Sequence, residues 1–217
     1  MIQLSPDEAR VLGVLVEKAL TTPEQYPLSL NAVTNGANQK NNRNPVTNLT
    51  EDQCFDALES LREKQLVVRV DQMGARVHKY KQQAVETLHA RTAEVAILAE
   101  LLLRGPQTLG ELRGRASRMA PLESLDRVSD MIRALTERPE PYVRELPPAQ
   151  GSRAERYVQL LCPDLHPLDA PLAQTAAVVE PSASTGLSER VEKLEAEVES
   201  LKARLRKLSD SLGVSES

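Results

Sequence analysis

Leu66-Val67-Val68-Arg69-Val70, Asp71-Gln72-Met73-Gly74-Ala75 and Arg76-Val77-His78-Lys79-Tyr80 read as two β-like runs around a turn with the Gly such a turn wants. Three helical patterns precede this hairpin. Ser5-Pro6-Asp7-Glu8 is a capping box with Pro at the first helical position. Val11, Leu12, Leu15, Val16, Ala19 and Leu20 then recur at helical spacing until Thr22-Pro23. A shorter helix is predicted from about Ser29 to Asn38, with Leu30 and Val33 inward. The third opens at Thr50, with Gln53 three residues on and Leu49 and Cys54 at the staple positions. Cys54, Leu58 and Leu61 lie on its apolar stripe, and Phe55 is expected in the same core.

The same order returns. Val95, Leu98, Ala99 and Leu102 form a stripe closed by Arg104-Gly105-Pro106. Thr108 and Glu111 open a short helix through Leu109 and Leu112, and Leu125, Val128, Ile132 and Leu135 build a third that Pro139 ends. Tyr142-Val143-Arg144-Glu145-Leu146 and Arg156-Tyr157-Val158-Gln159-Leu160 make a second hairpin. Leu15-Val16-Glu17 aligns with Leu98-Ala99-Glu100, and Tyr80 with Tyr157. Helix, helix, helix, hairpin is the order of the winged helix, and its recurrence after roughly eighty residues indicates a tandem array. The expected fold is mainly α with small β-hairpins (α+β). Winged-helix units span residues 1–85 and 86–162, a Pro-rich flexible linker 163–186, and a coiled-coil helix 187–217.

Composition narrows the function. There is no run of eighteen apolar residues, and residues 1–20 lack a basic region and a cleavage site, so a soluble cytoplasmic protein without membrane partners is expected. Cys54 and Cys162 are too few and too distant for a disulfide framework. His78, His89 and His166 are scattered without metal-ligand spacing, and no glycine fingerprint or Walker-type lysine loop occurs. No metal, cofactor or catalytic residue is therefore assigned, and a non-enzymatic protein is expected. Residues 1–85 carry ten Lys/Arg against ten Asp/Glu, residues 86–163 eleven of each, and residues 164–217 six against ten. Neither copy is basic overall. The aromatic set, Tyr26, Phe55, Tyr80, Tyr142 and Tyr157, is too sparse for a base-stacking platform.

Residues 31–47 concentrate Asn around Lys40 and Arg43, at the turn before the third helix. Phosphates are commonly contacted there, and Asn or Gln can read adenine edges. Equally, such Asn side chains can cap helix ends and satisfy a long turn. Asn31-Ala32-Val33, Asn38-Gln39-Lys40, Asn42-Arg43, Pro45-Val46 and the helix through Leu58 and Leu61 resemble the YceH-like family of uncharacterised bacterial proteins. The resemblance covers about residues 3–162 and is looser in the second copy. It implies tandem winged helices and leaves the activity open.

The leading expectation is a dimeric duplex-DNA-binding regulator, and the alternative, from a different class, is a protein-interaction adaptor. A duplex-DNA-binding regulator would use Asn38, Gln39, Lys40, Asn42 and Arg43, the first wing through Arg69, Arg76, Lys79 and Lys81, and Arg113, Arg115 and Arg118 of the second copy. A protein-interaction adaptor would use the copies as docking surfaces for an unknown protein. The DNA reading is preferred because of what the winged-helix fold usually does; against it stand Glu51, Asp52, Asp56, Glu59 and Glu63, which should face outward from the third helix and repel phosphates.

The tail carries its own expectation. Val191, Leu194, Val198, Leu201, Leu205 and Leu208 keep a heptad register, with Val at a and Leu at d favouring a parallel two-stranded coil. Arg190 then faces Glu195 of the partner strand, and Glu197 faces Lys202. The competing arrangement is a lone amphipathic helix folded back on its own chain. Deleting residues 187–217 is expected to convert a dimer into a monomer while both copies stay folded. Light scattering checks this, and equal masses with and without the tail would refute it.

Overall fold

The computed structural model describes residues 2–70, 77–148 and 151–166. Arg76, most of the expected linker and the whole heptad tail, with its dimerisation residues Val191 to Leu208, lie outside them. The described chain is a mixed α and β structure: helices with two small antiparallel sheets.

In the first copy α1 (Pro6–Thr21), α2 (Leu30–Ala37) and α3 (Glu51–Glu63) precede β2 (Val67–Val70) and β3 (Lys79–Gln82). The capping predictions hold at atomic detail. The Ser5 hydroxyl accepts from the Glu8 amide while the Glu8 carboxylate receives the Ser5 amide, and Thr50 and Gln53 do the same for α3. A two-residue strand, β1 (Leu28–Ser29), pairs with β3 and completes a sheet of order β1-β3-β2. Its length explains why no alternation marked it in the sequence. The hairpin register places Lys79 and Lys81 on one face of β3 and buried Tyr80 on the other.

The second copy repeats the plan with α5 (Thr92–Arg104), α6 (Leu109–Ala116), α7 (Leu125–Thr136), β4 (Val143–Leu146) and β5 (Arg156–Gln159). The boundary expected at residues 85/86 falls within a one-turn helix, α4 (Ala84–Thr87). Pro163–Leu165, expected to begin the linker, form a 3₁₀ turn instead, followed by His166. It buries Leu165 and His166, whose Nε2 lies 2.7 Å from the Asn44 carbonyl oxygen.

Both copies share one core because α1 packs along α5. The approach is close at Gly13: a Cβ there would lie 2.9 Å from the Leu103 side chain. At the far end of α5, Gly105 turns the chain at φ 83°, a conformation that suits a residue without Cβ. Two core expectations are corrected. Phe55 is 43% exposed and Leu125 46% exposed. Phe55 stands one residue past Cys54, and a 100° step along α3 carries it off the buried stripe of Cys54, Ala57, Leu58 and Leu61. Leu125 sits on the first helical residue of α7, ahead of its buried stripe.

Among the described residues no helix is long and apolar enough to cross a membrane. Cys54 is fully buried, and burial pushes its thiol above the usual range. Cys54→Ala is expected to cost about 1 kcal/mol, measured by denaturant unfolding. The native thiol should stay unlabelled under conditions that label unfolded chain.

Candidate functional site

α1 and α5 carry one carboxylate each into their contact. Glu17 is 2% exposed and Glu100 fully buried. These are the residues that the alignment of the two copies matches, so the charge is duplicated with the fold. Each meets an arginine from the loop after its copy's second helix. Arg43 holds Glu17 through Nη2–Oε2 at 2.6 Å and Nη1–Oε1 at 3.3 Å, a bidentate fork. Its other contacts are the Gly36 and Asn42 carbonyl oxygens and the Gln39 side chain, so every donor nitrogen of the guanidinium is engaged. Arg118 reaches Glu100 at 3.2 Å and crosses to Glu17 at 2.7 Å from the same nitrogen. Arg104 adds a bridge to Glu100 at 2.6 Å.

The electrostatics follow from this packing. Burial pushes the Glu17 carboxyl up, but the hydrogen bonds and charges of Arg43 and Arg118 outweigh burial and hold it below the ordinary carboxylate value. Arg118, although burial opposes its charge, is raised by the two carboxylates it joins. Arg10, fully buried on α1, donates to the Pro45 carbonyl oxygen. Burial and the like charge of Arg43 lower it to about 10. Burial, with the charge of Arg10, holds the His166 imidazole below its ordinary value although the hydrogen bond with the Asn44 carbonyl pulls the other way.

The cluster redistributes the residues expected to touch DNA. Arg43 has no exposed side-chain surface and cannot reach a phosphate; its expected role there is corrected to structural. The side chain of Asn38 exchanges two hydrogen bonds with the Leu49 backbone, at 2.7 and 2.8 Å, and so sets the entrance to α3. Gln39 accepts from Arg43, and Asn42, at φ 64°, accepts from Arg104 of the other copy at 2.7 Å. Asn38 thus satisfies turn backbone, whereas Gln39 and Asn42 accept from arginine side chains. Arg118 is turned inward by both carboxylates and keeps 34% of its side chain exposed. Arg115 is tied to Gln107 and Glu111, while Arg113 is exposed.

The remaining cations do not form one patch. Lys40 and Lys81 are exposed and Lys79 half-buried. Arg69 pairs with Tyr80 in the register and so lies on the opposite hairpin face from Lys79 and Lys81. On α3 the expected outward carboxylates Glu51, Asp52, Asp56 and Glu63 are exposed, while Glu59 is half-buried and pairs with Arg62. Sequence reasoning did not assign Glu17 and Glu100 to the site. The signal available was an acidic residue at the same place in both aligned helices. Among the described residues no group of three His, Cys, Asp or Glu could hold a metal.

Removing one member of a buried ion pair strands the other. Arg43→Ala is expected to destabilise the fold by about 3–5 kcal/mol in denaturant unfolding. Arg118→Ala, at a partly solvated position, should cost less. A Lys40→Ala control should leave stability unchanged; equal midpoints for Arg43→Ala and Lys40→Ala would refute the assignment.

The sequence matches a family model described as a protein of unknown function, DUF480, over residues 4–152. The UPF0502 protein YceH of Salmonella paratyphi A (strain ATCC 9150 / SARB42) is 45% identical over 216 residues, covering 97% of this chain and 98% of the relative. A UPF0502 protein of Pelobacter propionicus is 47% identical over 210 residues, 95% of each chain. The alignments run through both copies of the helical plan. A shared family model over more than half the chain and near-complete coverage of these relatives establish that the chain belongs to the DUF480 family.

Proposed function

We propose that the chain is a non-enzymatic, cytoplasmic tandem winged-helix protein that acts as a protein-interaction adaptor. The two helix-helix-helix-hairpin copies are read as winged helices, with β1 of the first sheet as the short extra strand of that motif. The observation that carries the adaptor is the outer face of α3. In a winged helix this third helix is the element that enters a DNA groove. Here it presents Glu51, Asp52, Asp56 and Glu63 to solvent, and its basic neighbour Arg62 is paired with Glu59. Each unpaired carboxylate near a phosphate adds repulsion instead of releasing counterions. Arg43 and Arg118, from the turns that precede α3 and α7, are committed to Glu17 and Glu100.

A second reading, a duplex-DNA-binding regulator, keeps the support of Lys79 and Lys81 on one hairpin face and of exposed Lys40. It would place wings and turns, not helices, on the phosphates. Assembly as a parallel dimer through residues 187–217 belongs to either reading.

A titration of the full chain with random duplex separates them. The adaptor reading expects no measurable binding at physiological salt. Saturable binding whose log affinity falls with log salt by about 0.9 per phosphate contact would replace it with the duplex reading.

A further inference from the structure

Arg10 differs from the other inward arginines in what it meets. Arg43, Arg104 and Arg118 each reach a carboxylate, Glu17 or Glu100. Arg10 is fully buried, yet the group it bonds is neutral, the Pro45 carbonyl oxygen. Its Nε and Nη1 have no hydrogen-bond partner among the described residues. Glu17 stands about two turns further along α1 and attracts it only at a distance. That carboxylate is already held by Arg43 and Arg118. Around Glu17 and Glu100, two negative charges thus answer four positive ones, Arg10, Arg43, Arg104 and Arg118. A buried cation without a counter-charge, with two donors unsatisfied, is costly to keep.

A second orphaned atom stands beside it. Consecutive carbonyls of the Asn-rich turn hold both side chains: that of Pro45 accepts from Arg10, and that of Asn44 lies 2.7 Å from His166 Nε2. A carbonyl oxygen can only accept, so Nε2 carries the proton. Nδ1 is then buried without a partner among the described residues. The groups around His166 are Arg10 from α1, the Asn44 carbonyl, Gly105 at the end of α5 and, on its own turn, exposed Asp164. No described carboxylate bonds Arg10 or His166. Space is tight as well: a Cβ at Gly105 would lie 2.8 Å from the imidazole ring. Enclosure of this kind suits an ion of atomic size and excludes a phosphate ester.

We propose that Arg10 and His166 hold a small monovalent inorganic anion, of the size of chloride, between the Asn-rich turn and the Pro163–Leu165 turn. Nε and Nη1 of Arg10 donate to it, and a proton taken from solvent onto His166 Nδ1 adds a further donor. The ion supplies the negative charge that Arg10 lacks. Without it, burial and the charge of Arg10 hold the imidazole low; the ion opposes that charge, so binding takes up a proton and strengthens as pH falls. The site is independent of whether the outer surface serves a protein or a duplex.

Thermal unfolding of the full chain in sodium chloride, against sodium gluconate at equal ionic strength, tests this, because gluconate is too large to be enclosed. The midpoint should rise saturably with chloride, by about 3–6 °C at ten times the dissociation constant, and the rise should grow as pH falls. Arg10→Met is expected to abolish the chloride response. Should that variant fail to fold, Arg10→Lys, which keeps the charge but not the guanidinium donors, is expected to weaken chloride at least ten-fold. His166→Gln should keep a weaker response without its pH dependence. Arg153→Met, at an exposed arginine, should respond as the unaltered chain does. Equal midpoints in the two salts would mean that water alone meets these donors, and would overturn the proposal. So would a chloride response that survives in the Arg10 variants, or a pH dependence that survives in His166→Gln.

Discussion

Two carboxylates buried in one helix–helix contact impose the main constraint on this molecule. Glu17 on α1 and Glu100 on α5 cannot be left without cations at that depth, because an unpaired buried charge costs several kcal/mol. Two of the arginines that answer them come from loops, Arg43 from the Asn-rich turn and Arg118 from the turn after α6, and Arg104 comes from the last turn of α5 itself. Meeting the carboxylates therefore determines where those loops run. Asn42 meets Arg104 from across the contact, and the Asn44 carbonyl receives His166. Buried ion pairs add little net stability compared with apolar packing of the same shape. Their consequence here is register: α1 can slide along α5 only by breaking the bridge of Arg118 to both copies.

That constraint governs the surface indirectly. Every arginine drawn inward is one less on the outside, and Arg43 and Arg118, from the turns before the third helices, are withdrawn in this way. Outside α3 stand Glu51, Asp52, Asp56 and Glu63 with Gln53 and Phe55, while α7 keeps Asp126 and Asp130 at the matching places and adds Arg127, Arg133 and Leu125. The core positions of the two helices coincide, so packing does not explain the difference.

Much of the fold was legible because it rests on local rules. Ser5 with Glu8, Thr50 with Gln53 and Thr108 with Glu111 announce helix starts, and the structure contains all three reciprocal caps. Cys54 was readable as core from its spacing to Leu58 and Leu61. Phe55 was misread because hydrophobicity was allowed to outvote helical phase, whereas Leu125, in phase with Val128 and Ile132, is exposed because it opens α7 ahead of the buried stripe. β1 was invisible, since two residues carry no alternation. It exists because Leu28 and Ser29 meet Tyr80 and Lys79, fifty residues later in the chain.

The sequence by itself determined the order of the elements, their caps and the duplication, because these follow from interactions within a few residues. It also showed that the third helix of the first copy has an acidic outer face. Only the tertiary structure decided what the cations do. Arg43, Lys40 and Arg118 look alike in a turn rich in polar residues, and their charge says nothing about direction. The packing of α1 on α5 creates a buried demand for positive charge at Glu17 and Glu100. Distance in space, not in sequence, selects Arg43 and Arg118 to meet that demand and leaves Lys40 in solvent.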